Sequence, residues 1–167
     1  VASSTVYANK IDEHLGNSEF IEILKTTPGV HINRAGGGWG DSELYMRGFD
    51  NSNIAIMVNG IPVNDMENGV VYWSHWAGLA DVTKEVQTQR GVTSSYLSSP
   101  AIGGSVNIIT NGIELERKLS LSFSQGSDGY NKILFSTSTG ILENGWSFSL
   151  LGGKTWGDGY AIGTNFE

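Results

Sequence analysis

The residues best equipped for chemistry lie close together in loop 64–77, which holds Asp65, Glu67, Tyr72, Trp73, His75 and Trp76. Aromatic faces of this kind stack on sugars or planar ligands, while carboxylates take up hydroxyls or cations. Trp73 and Trp76 have a second use open to them, anchoring the loop by packing inward. Trp39 and Asp41, just past Gly36-Gly37-Gly38, share that ambiguity. The outcome would be a binding surface on a long loop, and loops of this length rarely occur in compact domains without a use.

Catalysis has little to work with. The three histidines, His14, His31 and His75, are not at metal-ligand spacing, so no metal site and no cofactor are expected. Nothing places Asp65 and Glu67 across a cleft as an acid–base pair. There is no G-x-S-x-G elbow. The Gly36–Gly38 run lacks the Lys-Ser/Thr of a phosphate loop. With no cysteine in the chain, disulfides, zinc-thiolate sites and thiol nucleophiles are excluded. A formal net charge of −7 with ten scattered Lys and Arg argues against nucleic acid. The chain is read as not an enzyme.

The elements that must position the loop fall into two textures, divided near residue 112. In the first, Ser18 is placed to cap a helix over 19–26, with Phe20, Ile21, Ile23 and Leu24 forming an apolar stripe. Thr27-Pro28-Gly29 stops it. Strands are expected at 30–33, 43–47, 53–59, 84–90 and 105–110, each bounded by Gly, Asn or Pro. Asn59-Gly60 reads as a tight turn. Gly103-Gly104 reads as a place where backbone approaches a neighbour closely. Together these make a small α+β domain.

From Glu116 onward the pattern is strict alternation. Leu119, Leu121 and Phe123 alternate with Ser120, Ser122 and Ser124; Ile133 and Phe135 with Leu134 and Ser136; Trp146, Phe148 and Leu150 with Ser147, Ser149 and Leu151. Strands are expected at 117–125, 130–139 and 145–155. Alternation over about ten residues, between an apolar and a small polar face, is the signature of transmembrane barrel strands. Tyr130 and Trp156 near one end and Trp146 near the other occupy girdle positions. A soluble sandwich would alternate too, but its exposed face usually carries more charge. No run of about 18 apolar residues is present to make a spanning helix. No signal peptide is visible, and the chain begins and ends mid-pattern, as a part of a longer processed protein would.

The segment Ile21-Glu22-Ile23-Leu24-Lys25-Thr26-Thr27-Pro28-Gly29-Val30 resembles the opening of plug domains in TonB-dependent outer-membrane receptors. In that family's order follow Met46-Arg47-Gly48-Phe49, Met57-Val58-Asn59-Gly60-Ile61-Pro62, Val86-Gln87-Thr88-Gln89-Arg90-Gly91 and Ile102-Gly103-Gly104-Ser105-Val106-Asn107-Ile108-Ile109-Thr110. The resemblance covers residues 18–112. Gly36-Gly37-Gly38 and Tyr72-Trp73-Ser74-His75-Trp76 are worded as in receptors of Bacteroidetes-type bacteria.

The resemblance implies a plug domain over 1–112 and the first three strands of an outer-membrane β-barrel over 113–167, the whole barrel having 22 strands. Pro28, Gly29, Gly48, Asn59, Gly60, Gly91, Gly103 and Gly104 would be structural. Arg47 and Arg90 would pair with carboxylates of the barrel wall as a latch; the plain alternative is a surface Arg with a solvated head. The protein would take up a scarce nutrient (iron chelate, cobalamin, glycan or peptide) through plug loops bearing Trp39, Asp41, Asp65, Glu67, Tyr72, Trp73, His75 and Trp76. Its partners would be TonB, through a segment upstream of Val1, outer-membrane lipid, the nutrient, and a surface lipoprotein. Its place would be the cell outer membrane, with the plug in the barrel lumen facing the periplasm. A binding-only surface protein or adhesin, and a soluble β-rich enzyme, are the competing classes.

Overall fold

A computed structural model describes residues 2–8, 10–11, 18–34, 42–76, 78–91, 101–112, 114, 116–159 and 161–166, arranged as two compact units, Val1–Thr110 and Asn111–Glu167. Trp39 and Asp41 lie outside the described residues.

The first unit is built on a mixed five-stranded sheet. Its strands are β1 (Ala2–Tyr7), β4 (Ile54–Val58), β5 (Ile61–Pro62), β6 (Thr83–Arg90) and β7 (Gly104–Thr110), in the order β1-β6-β7-β4-β5. Only β4 and β7 run parallel. A separate hairpin pairs β2 (Val30–Arg34) with β3 (Ser42–Met46), setting Val30 against Met46 and Arg34 against Ser42. Ile54, Ile56, Val86, Val106 and Ile108 are buried and share one core with Ile21, Leu24, Leu44, Met46 and Trp73. Burying aliphatic side chains of this size contributes roughly 1.5–3 kcal/mol each, so this core holds the sheet and the hairpin in one body.

The expected helix over 19–26 forms as a 3-10 helix, Phe20–Thr26, and Ser18 is not its cap. Glu19 holds the N-cap position without a side-chain capping bond. Two β-branched isoleucines at 21 and 23 disfavour a wider α coil, and Thr26 Oγ1 donates to the Ile23 carbonyl at 3.2 Å, tightening the last turn. Strand β1 carries little sequence signal: among its residues of described burial, Val6 alone is buried. It is an edge strand, held by six residue pairs to β6.

The second unit is an antiparallel sheet of β8 (Arg117–Gln125), β9 (Asn131–Thr139), β10 (Ser149–Asp158) and β11 (Asn165–Phe166), in the order β11-β10-β9-β8. The register sets Leu121 opposite Phe135 and Phe135 opposite Gly152; on the other face it sets Ser120 opposite Ser136 and Ser136 opposite Leu151. One face therefore presents Leu119, Leu121, Phe123, Ile133, Phe135 and Leu150, all exposed. Across the opposite face Ser120 and Ser136 join by a hydroxyl–hydroxyl bond of 2.6 Å.

Two expectations for this unit are corrected. The third strand begins at Ser149, not 145, because Thr139 Oγ1 accepts from the Phe148 amide at 3.0 Å and interrupts the ladder there. Trp146 and Phe148 lie before the strand and stack with their rings 6.1 Å apart. Tyr130 does not stand on the apolar face with the girdle. It is buried, packing 6.5 Å from Phe166, with both against Gly157, where a side chain would collide with the Phe166 ring.

Candidate functional site

Two groups of residues converge in the first unit. The first is assembled from motif residues that lie far apart in sequence. Met46 and Phe49 exchange two backbone hydrogen bonds of 2.9 Å around Arg47-Gly48, whose φ angles are 55° and 85°. That is a two-residue turn of the mirror-image type. Strand β3 thus ends at Met46, and Arg47 is the turn's first corner. An L-residue in the left-handed region costs roughly 1–2 kcal/mol, so Arg47 is held there by what surrounds it. Its amide donates to the Gly29 carbonyl at 2.9 Å, binding this turn to the Pro28-Gly29 stop.

Arg90 completes the group from β6. Its Nη1 donates to the Pro28 carbonyl at 2.8 Å, and its Nη2 reaches Ser4 Oγ on β1 at 3.5 Å. Gly91 lies against Arg47, where a methyl group would stand 2.8 Å from Nη1. Gly104 is tighter still, at φ 143°: a Cβ would stand 2.4 Å from the Gln89 carbonyl and 2.5 Å from Met46 Sδ. Gly103 donates to the Asn53 carbonyl and accepts from the Gly91 amide. Pro28, Gly29, Arg47, Gly48, Arg90, Gly91, Gly103 and Gly104 are thereby brought together. Among the described residues neither guanidinium forms an ion pair with a carboxylate. Arg90 is instead spent as a tie inside the unit, while Arg47 remains exposed.

Asn59 and Gly60 stand apart, at the opposite end of β4. Both have positive φ and close the two-residue turn into β5. Asn59 also clamps the last residue of β7. Its Nδ2 donates to Thr110 Oγ1 at 2.9 Å and its Oδ1 accepts from the Thr110 amide at 3.0 Å.

The second group is the long loop. Its organiser is Asn64, which the sequence did not single out. Asn64 Oδ1 accepts from the Ile56 amide at 2.8 Å, and Nδ2 donates to the carbonyls of Ile54 and Gly69 at 2.9 and 2.8 Å. The signal was available in an Asn two residues after the Pro that ends β5, since Asn side chains mimic backbone in such turns. Asp65 Oδ1 then accepts from the amides of Glu67 and Asn68, and Asn68 Nδ2 donates to the Tyr72 hydroxyl at 2.7 Å. Tyr72 packs on His75 with rings 5.7 Å apart.

The loop's aromatic residues divide by burial. Trp73 is 6 % exposed, in the core and 6.2 Å from Phe20, and Trp76 packs partly buried against the same core. Both act as supports. Asp65, Glu67, Tyr72 and His75 are exposed.

Electrostatics add one buried anchor. The Glu22 side chain is 9 % exposed and is bridged to Lys25 at 2.9 Å and to Arg34. Burial by itself pushes its carboxyl up, but the hydrogen bonds and charges of Arg34 and Lys25 outweigh that and hold it below the ordinary Glu value. The pair to Arg34 ties the 3-10 helix to the β2–β3 hairpin. No group of His, Asp and Glu suited to a metal ion occurs among the described residues.

Comparison with known proteins agrees with this architecture. A family profile described as the TonB-dependent Receptor Plug Domain matches residues 1–105. The vitamin B12 transporter BtuB of Vibrio vulnificus is 27 % identical over 162 residues, covering 97 % of this chain and 26 % of that protein. BtuB of Photobacterium profundum is 31 % identical over 160 residues, or 95 % and 25 % of the two chains. The siderophore receptor PirA of Pseudomonas aeruginosa superposes with a TM-score of 0.67 at 25 % identity, covering 93 % of this chain and 28 % of the other. P. aeruginosa FpvA superposes at 0.72 with 18 % identity, covering 94 % and 20 % of the two chains. The chain thus spans about a quarter of the length of the curated relatives it matches.

Proposed function

We propose, on the premise that this chain belongs to the TonB-dependent receptor family through its plug domain, that it supplies the plug and leading barrel strands of an outer-membrane nutrient transporter. The observation that carries the proposal is the pairing of two unlike units in one chain. A plug-type mixed sheet is followed by antiparallel strands whose exposed face is apolar and whose other face carries serine hydroxyls. That inversion of the usual soluble pattern suits lipid outside and a wet lumen inside.

The full protein would bind a scarce nutrient at the cell surface and import it to the periplasm with energy from TonB. Cobalamin and iron chelates lead the substrate classes, because the relatives are named for vitamin B12 and siderophores. Asp65, Glu67, Tyr72 and His75 would meet the ligand, with Trp73 and Trp76 fixing the loop from beneath. Trp39 and Asp41 would join them. Arg47 would be the plug's free latch toward a barrel carboxylate, while Arg90 holds the turn that carries Arg47. The barrel would have 22 strands, with residues 113–167 its beginning.

The test is uptake of labelled cyanocobalamin and of ferric siderophores by cells expressing the full-length protein, with and without a functional TonB. Uptake that needs TonB supports the proposal. Binding without uptake would instead make it a surface-binding protein.

A further inference from the structure

The chain contains four Asn-Gly pairs, at 59–60, 68–69, 111–112 and 144–145. This dipeptide is the one most prone to intramolecular imide formation, because glycine leaves its amide nitrogen unhindered. The structure treats one pair differently from the other three. Each of the three has its glycine N–H donated elsewhere: Gly60 to Asn107 Oδ1 at 3.0 Å, Gly69 to the Asp65 carbonyl at 2.9 Å, and Gly145 to the Leu142 carbonyl at 2.8 Å.

Their asparagine side chains are engaged as well. Asn59 holds Thr110 with both its side-chain atoms. Asn68 Oδ1 accepts from the Val70 amide at 3.0 Å while its Nδ2 donates to Tyr72. Asn144 Oδ1 accepts from the Trp146 amide at 3.2 Å. Asn111 and Gly112 make no hydrogen bond among the described residues. Both are exposed, and a Cβ at Gly112 would meet nothing within 4 Å.

We infer that Asn111 is the chain's site of spontaneous deamidation and isoaspartate formation. The Gly112 backbone nitrogen gives its proton to solvent base and attacks Asn111 Cγ. A carbon–nitrogen bond forms, the bond from Cγ to the side-chain nitrogen breaks, and ammonia leaves. Water then opens the five-membered imide at either carbonyl, giving aspartate or the β-linked isomer. The balance is amide plus water to acid plus ammonia, with nothing oxidised or reduced. At the residue directly after β7 the product gains one negative charge, and the isomer also gains one backbone carbon. A bonded amide nitrogen and an anchored side chain hold the reacting atoms away from attack geometry, which is where the rate difference arises.

The experiment is to incubate the full-length protein, folded in detergent micelles at neutral pH, and to follow all four sites by peptide mass spectrometry with isoaspartyl methyltransferase labelling. Asn111 is expected to react about tenfold or more faster than Asn59, Asn68 or Asn144. In denaturant the four rates are expected to converge, and Asn111→Gln should abolish the fast phase. The inference is overturned if any other site keeps pace with Asn111 in the folded chain. It is equally overturned if the preference for Asn111 persists undiminished in denaturant, since local sequence would then be its cause.

Discussion

Arg90 donates from Nη1 to the carbonyl oxygen of Pro28 at 2.8 Å, a bond that spans 62 residues of sequence. It ties the end of β6 to the stop of the 3-10 helix. A charged donor to a neutral acceptor contributes roughly 1.5–3 kcal/mol. Arg90→Met is therefore expected to lower stability by about 1–3 kcal/mol, read from urea denaturation. Arg90→Lys should recover less than half of the loss, since one ammonium cannot span both Pro28 and Ser4. Equal stability of all three proteins would show that the bond carries nothing.

Gly104 and Gly48 both have positive φ but differ in space. At Gly104 a Cβ meets the Gln89 carbonyl and Met46 Sδ, and at Gly48 it meets nothing within 4 Å. Gly104→Ala should cost about 3 kcal/mol or more, through overpacking against backbone that cannot yield. Gly48→Ala should cost only about 1–2 kcal/mol of conformational strain. Comparison of the two urea midpoints checks the order; a reversed order would refute the packing argument.

Much of this architecture was legible in the sequence, and the misses have physical reasons. Strands β4, β6 and β7 announce themselves through buried β-branched residues at Ile54, Ile56, Val86, Val106 and Ile108. The Asn59-Gly60 turn follows from dihedral preference alone. Strand β1 was invisible because an edge strand of Ser and Thr is held by backbone bonds, which leave no mark on side-chain pattern. The helix over 19–26 was legible, but not that it is 3-10, because an apolar stripe over seven residues fits either period. Tyr130 was read as a girdle residue because it is an aromatic at a strand end, and that position does not reveal that Phe166, distant in sequence, packs over it. Within the site, Arg90 was recognisable as special, but its target, the Pro28 carbonyl, is a main-chain atom with no signature. The split of the loop aromatics into buried Trp73 and exposed Tyr72 has no mark in the sequence, where both are aromatic residues in one loop.

That split gives a prediction. Trp73→Ala should open a core cavity and cost about 3–5 kcal/mol. Tyr72→Ala and His75→Ala should each change stability by less than about 0.5 kcal/mol. On the proposed transport reading, the double variant of Tyr72 and His75 in the full-length protein is expected to weaken ligand binding by about tenfold, or about 1.4 kcal/mol. Unchanged affinity by equilibrium titration would remove these two side chains from the ligand surface.

Glu22 makes stability depend on pH. Its folded-state carboxyl is held below the ordinary value, after burial is outweighed by Arg34 and Lys25. The folded state therefore binds this proton less readily than the unfolded one. The contribution is present above the unfolded value, about 4.3, and is lost as the pH falls from there through the lower folded value. Asp50, lowered by hydrogen bonds from Ser52 and Asn53, acts in the same direction. Glu22→Gln should flatten the acid limb of the urea midpoint against pH and leave the Asp50 share in place. An unchanged slope would contradict the assignment.

On the second unit, Leu121→Arg in the full-length protein should cost about 2–4 kcal/mol if the residue sits near the bilayer centre. Ser122→Arg, on the opposite face, should cost far less. Heat-modifiable migration of the barrel on gels distinguishes them.

The outward-facing Leu119, Leu121, Phe123, Phe135 and Leu150 also decide what counts as a native solvent. The first unit gathers its apolar side chains into one core, so water is a good solvent for it. For the second, with Leu121 76 % exposed, an aqueous buffer is the hostile medium and a micelle the benign one. Anyone purifying this chain thus handles two solubilities on one backbone. A preparation clear in water reports on how that face has hidden itself, by self-association or by collapse, before it reports on anything else.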